Sequence, residues 1–170
     1  MQDLIVSADS PGATKGWAEI AGKRFRCALG RGGIKPDKRE GDGGTPIGRF
    51  ALRRVFYRGA APRSSLPLQA TKQHDGWCDA PDDIAYNRHV LLPYAASHEE
   101  MWRNDHLYDR VLVIGHNDDP VVAGLGSAVF IHLAHDDYSP TAGCVAFARD
   151  DLEEILGLLT PRDHVTILAT

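Results

Sequence analysis

Ala128-Val129-Phe130-Ile131-His132-Leu133, followed after a polar stretch by Thr141-Ala142-Gly143-Cys144-Val145, decides how this chain is read. The first segment is an apolar run of buried-strand length that carries one imidazole, and the second presents a thiol twelve positions after it. Free cysteine is among the most buried residue types, and taken alone Cys144 reads as packing. Its setting separates it from the other two cysteines. Gly143 leaves room for a substrate carbonyl to approach the backbone, and the imidazole of the upstream strand is expected to sit within reach of the thiol as a base. Such a neighbour lowers a thiol pKa from near 8.5, by about 1 to 5 units. Cys27, in the alternating stretch Arg24 to Leu29, is expected to face inward from a strand. Cys78, in Asp75-Gly76-Trp77-Cys78-Asp79, is expected on a turn-rich loop whose acidic residues keep its thiol protonated.

Outward from this stretch, Arg110 to Gly115 supplies a second central strand through Val111, Leu112, Val113 and Ile114. Leu4 to Ala8, Trp17 to Ile20 and Arg24 to Leu29 form a meander with a tight turn at Ala21-Gly22-Lys23, and Phe50 to Tyr57 is a further strand. After Cys144, Leu152, Ile155, Leu156 and Leu159 repeat at helical spacing, which predicts a helix over Asp150 to Leu159 with an acidic first turn and Pro161 beyond its end. Val165 to Leu168 returns as a last strand. With 170 residues, 43% of them hydrophobic, and 17 glycines and 10 prolines scattered between short runs, the chain reads as one mainly β domain with short helices.

Two stretches are irregular. Gly30 to Gly48 is glycine-rich, but it lacks a Gly-Lys-Ser/Thr ending and a following helix, so it reads as a mobile surface loop closed by the Thr45-Pro46 turn and not as a phosphate cradle. Residues 60 to 109 are broken by prolines yet carry aromatic rings, which predicts a long, loop-rich but ordered lid beside a cleft. Tyr86 and Trp102 are its candidate substrate-contacting rings, and Ser97 to Arg103 is a predicted short helix capped by Ser97.

The net charge of −4, with no Lys/Arg run longer than a pair, excludes the electrostatic footprint of a nucleic-acid binder. Three cysteines do not close a disulfide framework. His116, His132 and Cys144 lack paired-ligand spacing, so neither a metal nor another cofactor is expected. No membrane span is read, the start Met1 to Ser7 does not look like a secretory signal, and a monomer is expected.

Ile131-His132 with Thr141-Ala142-Gly143-Cys144-Val145 resembles the signature of L,D-transpeptidase catalytic domains of the YkuD type. Thr45-Pro46-Ile47-Gly48-Arg49-Phe50 resembles that family's Thr-Pro-x-Gly-x-Phe segment, and the similar region runs from about Gly41 to Leu159. The resemblance implies a β-sandwich-like sheet assembly with the cysteine in a cleft under a lid, and acyl transfer on peptidoglycan stem peptides in the periplasm or cell envelope. By the same resemblance Cys144 is the nucleophile and forms a thioester, and His132 is the base, oriented by a main-chain carbonyl. Gly143 and Cys144 amides bind the oxyanion, and Thr141 is the small hydroxyl of the motif. His116 is a competing base and candidate substrate contact. Ala146 stands where the family commonly carries Arg or Asn, which makes Arg149, three residues on, the candidate for a substrate carboxylate. A carbapenem is expected to acylate Cys144. Alternatives are an L,D-carboxypeptidase, another cysteine amidase or acyl hydrolase on the same fold, and a non-catalytic wall-binding module in which Cys144 is merely buried.

Overall fold

Alternating side chains build the N-terminal strands. In the computed structural model, which describes residues 1–169, Leu4 and Val6 point inward from β1 (Asp3–Ala8), Ala18 and Ile20 from β2 (Lys15–Ile20), and Phe25 and Cys27 from β3 (Lys23–Ala28). Ala21 and Gly22, at φ 51 and 74, take the two left-handed positions of a tight turn whose twist matches the strands.

The Gly30 to Gly48 stretch, read from its composition as a mobile surface loop, carries paired segments and side-chain anchors. Within it β4 (Ile34–Lys35) pairs in parallel with β5 (Thr45–Pro46), and the fully buried Thr45 accepts the Gly30 amide on Oγ1 at 2.8 Å. Asp42 anchors the interior of the stretch by accepting the Arg39 and Gly44 amides, each at 2.8 Å. Side-chain bonds to the backbone thus supply the order that an apolar run would otherwise supply. The chain continues through β6 (Gly48–Tyr57), β7 (Leu68–Ala70), β8 (Asp75–Cys78), β9 (His89–Leu91), β10 (His98–Glu100), β11 (Arg110–Ile114), β12 (Phe130–Leu133), β13 (Val145–Phe147), α1 (Arg149–Leu158) and β14 (His164–Ile167).

Nine strands form one sheet in the order β11-β12-β13-β3-β2-β1-β14-β6-β7, and β11 also pairs with β6. That extra pairing returns the ladder to itself. The long β6 makes it possible: residues 48–51 pair with β14, while residues 52–57 pair with β11. The main core fills the space between the sheet's inner faces, and α1 sends Leu152, Ile155 and Leu156 into it, followed by Leu159. This is the predicted apolar stripe. Asp150 and Asp151 in the first turn complement the helix dipole, because Ala148 gives the end no side-chain cap.

The lid departs from the prediction in its content. Ser97 to Arg103 is not a helix: β10 pairs antiparallel with β8, setting Glu99 opposite Trp77, and β9 completes a three-stranded sheet. The local capping pattern loses to long-range pairing, which the bonds from Asp79 N to Ser97 O and from Met101 N to Asp75 O extend. Cys78 lies in β8 and not on a loop; its thiol is raised chiefly by burial, with Asp83 and Asp79 adding to it. The strand predicted from Ala128 begins at Phe130, because Ala128 adopts φ 51.

Candidate active site

Parallel pairing of β12 with β13 sets His132 beside Ala146 and Ile131 beside Val145. Cys144, the residue before β13, therefore falls next to Phe130, and alternation puts Cys144 and Ala146 on the face that also carries Phe130 and His132. Cys144 and His132 line one cleft of about 380 Å³, with Thr141 and Gly143 from the loop before β13, Arg31 and Lys38 from the ordered stretch, and Glu99 and Tyr108 from the lid side.

The thiol is held in a backbone cradle. Phe130 N–H donates to Cys144 Sγ at 3.2 Å, and the thiol donates to the Ala128 carbonyl at the same distance. Asn87, at φ 54, fixes that carbonyl's residue: its Oδ1 accepts from Ala128 N and Trp77 Nε1, each at 3.0 Å, and its Nδ2 donates to the His116 and Asn117 carbonyls. Both Nδ2 donors and the Oδ1 acceptor of this buried amide are thereby satisfied. Burial pushes the Cys144 thiol up to about 12, and the nearby Glu99 charge adds to the effect.

His132 Nδ1 lies 2.7 Å from the Leu133 carbonyl, which fixes the Nδ1–H tautomer and leaves Nε2 as an acceptor. The ring stands edge-on to Tyr108 at 5.2 Å. Tyr108 OH in turn donates to Glu99 Oε2 at 2.6 Å, and the Arg103 guanidinium lies 5.0 Å from the Tyr108 ring centre. Burial lowers His132 to about 4, and the Arg103 charge pushes in the same direction. Both shifts run against the imidazole-stabilised thiolate expected from the sequence. Both groups are desolvated, which favours their neutral forms.

The loop before β13 is tied at both ends. Thr141 N donates to the Leu29 carbonyl, and Arg31 N donates to the Thr141 carbonyl, each at 2.9 Å. Thr141 Oγ1 donates to the Cys144 carbonyl at 2.6 Å and accepts the Gly143 amide at 3.1 Å, so the Gly143 donor expected for an oxyanion is already engaged. Gly143 has φ 137, and a Cβ there would lie 2.8 Å from the Gly44 carbonyl oxygen. Only glycine suits both constraints.

Four of the sequence-derived contacts lie outside the cleft lining. Arg149 reaches Asp109 at 2.9 Å from the start of α1. His116, held at Nε2 by the Leu125 carbonyl at 3.1 Å, lines a second cavity. Tyr86 is buried, donating to Glu40 and accepting the Gly126 amide. Trp102 is half-buried against the Arg58 guanidinium. Sequence reasoning missed Arg31, Lys38, Glu99 and Tyr108 in the cleft and Asn87 behind it. No motif marks them, and the helix predicted over Ser97 to Arg103 includes Glu99. Among the described residues, no group of three or more His, Cys, Asp or Glu side chains is arranged to hold a metal ion.

A mainly β fold with a thiol and a neutral imidazole in one lidded cleft is the setting in which the family comparison is decisive. The family model for the L,D-transpeptidase catalytic domain (YkuD) matches residues 16–167, and the chain belongs to that family. It is an enzyme of the transpeptidase type, of a family whose substrate is the peptidoglycan of the cell wall. No curated protein and no solved structure matches the chain. Among the described residues, no helix is long and apolar enough to cross a membrane.

Proposed function

We propose that the chain is a peptidoglycan L,D-transpeptidase working through a Cys144 thioester in the periplasm or cell envelope. The observation that supports it most is the shared cleft of Cys144 and His132, with Nδ1 of the imidazole anchored on Leu133 and Nε2 left to accept a proton. The S–H must first leave the Ala128 carbonyl, and Nε2 is the unengaged base that lines the same cleft. As Sγ attacks the donor peptide carbonyl, Nε2 takes the thiol proton, and the Cys144 amide stabilises the oxyanion. Collapse breaks the C–N bond, the leaving D-amino acid takes the proton from His132, and a thioester remains. An acceptor amine then gives its proton to Nε2, attacks the thioester and forms the cross-link, restoring the thiol. Water in place of the amine gives L,D-carboxypeptidase activity.

Arg31 takes the carboxylate-binding role for which Arg149 is badly placed. It is exposed, lines the cleft, makes no ion pair among the described residues, and is tied through its amide to Thr141. A charge-assisted bond of about 1.5 to 3 kcal/mol corresponds to a roughly tenfold or greater rise in KM for a tetrapeptide donor in Arg31→Ala. Arg149→Ala should leave KM unchanged. Equal effects of the two substitutions would remove Arg31 from this role.

Intact-mass measurement after exposure to a carbapenem tests the proposal as a whole. A covalent adduct is expected on the native chain and absent from Cys144→Ala. The competing reading is a wall-binding module with an inert cysteine, favoured by the burial of Cys144, which is only 5% exposed. It predicts no adduct, and peptidoglycan binding that survives Cys144→Ala.

A further inference from the structure

A second cavity, of about 480 Å³, abuts the cradle of Cys144 without the thiol being part of its lining. Phe130, whose amide holds the sulfur, and Asn87, which holds Ala128, both line it. Its size is that of a small-molecule site. Phe56, Val113, Trp77 and Phe130 give it an apolar and largely aromatic wall.

The charges around this wall do not cancel. Arg53, Arg54 and Arg88 line the cavity against a single carboxylate, Asp118. Arg53 consumes that carboxylate in a two-point contact, at 2.8 and 3.0 Å. Arg54 is bonded only to the neutral amide oxygen of Gln69, at 3.0 Å. Arg88 is exposed and makes no ion pair among the described residues. Of the two histidines, His89 is engaged by Asp75 at 2.8 Å, and burial favours the neutral form of His116. Two guanidiniums without an ion pair among the described residues therefore line a cavity with a largely aromatic lining, in a chain whose net charge is −4.

We propose that this cavity is a binding site for an organic anion, a flat apolar or aromatic body bearing a carboxylate. The body would lie against the half-buried Trp77 and the His89 ring that stacks on Phe56, and Arg54 and Arg88 would receive the carboxylate through the forked contacts that guanidinium makes with planar anions. The site shares only Val129 with the lining of the proposed transpeptidase cleft and does not depend on that reading.

The test is calorimetric titration of the full chain with 2-naphthoate, with the Trp77 indole N–H followed by NMR. Naphthoate should bind and shift that resonance, while uncharged 2-naphthamide and inorganic phosphate should each bind at least tenfold more weakly. Arg54→Gln and Arg88→Gln should each weaken naphthoate at least fivefold, and Arg31→Gln, in the other cleft, should not; both cavity variants alter exposed side chains, and their NMR spectra report folding directly. The proposal is overturned if naphthamide binds as tightly as naphthoate, if phosphate alone matches it, if only Arg31→Gln weakens it, or if naphthoate does not bind.

Discussion

His132 carries the sharpest consequence at the scale of one residue. Burial moves it from an ordinary value of 6.5 to about 4, so the folded chain binds this proton more weakly than the unfolded chain does. The unfolded state therefore holds more protons between those two values, and stability rises with pH across that window and is lost as pH falls through it. The full effect is about 3 kcal/mol. Urea unfolding from pH 7 to pH 4 should show this loss in the native chain and a flatter profile in His132→Gln; parallel profiles would show that His132 does not carry it. That Cys144 and His132 would share a cleft was legible in the sequence, because a thiol beside a glycine and a strand imidazole are particular residue types in a particular order. The place of Arg31 in the cleft was not legible, since where a guanidinium lies follows from the fold and not from its sequence neighbours. Arg149 fitted by spacing and charge, but it turns to Asp109.

At the scale of elements, the cleft depends on two segments meeting where neither has strong secondary structure. Gly30 sits between the ordered stretch and the loop before β13: a Cβ there would lie 2.1 Å from the Gly43 carbonyl oxygen and 2.9 Å from Gly143 Cα. Gly30→Ala must therefore push these backbones apart, and carbapenem acylation should slow at least tenfold, with a stability loss of about 1 to 3 kcal/mol. Stopped-flow acylation beside thermal unfolding would check both; an unchanged rate would show that this contact does not set the loop. The meander, the central strands and α1 were legible because their periodicity matches burial. The lid strands and the ordered stretch were not. They are short, and they are specified by partners far away in sequence, as β10 is by β8 and the Gly30 amide by Thr45.

For the whole molecule, closure of the ladder between β6 and β11 is secured by Arg110, which no sequence pattern distinguished. It is 5% exposed, pairs with Glu153 of α1 at 2.8 Å and donates to the carbonyls of Arg58, Asp109 and Ala60. Removing a buried, fully bonded charge leaves acceptors without donors, so Arg110→Ala should cost about 3 to 5 kcal/mol in urea unfolding. The exposed pair of Arg149 with Asp109 should cost under about 1 kcal/mol on the same measurement. Comparable losses would mean that the closure does not rest on Arg110. The cradle around Cys144 has a further meaning in terms of oxidants. Peroxide attacks thiolates, and all three cysteines of the chain are buried, with thiols that burial keeps in the unreactive protonated form. Burial and protonation thus guard the sulfur of this domain against oxidants without a partner cysteine.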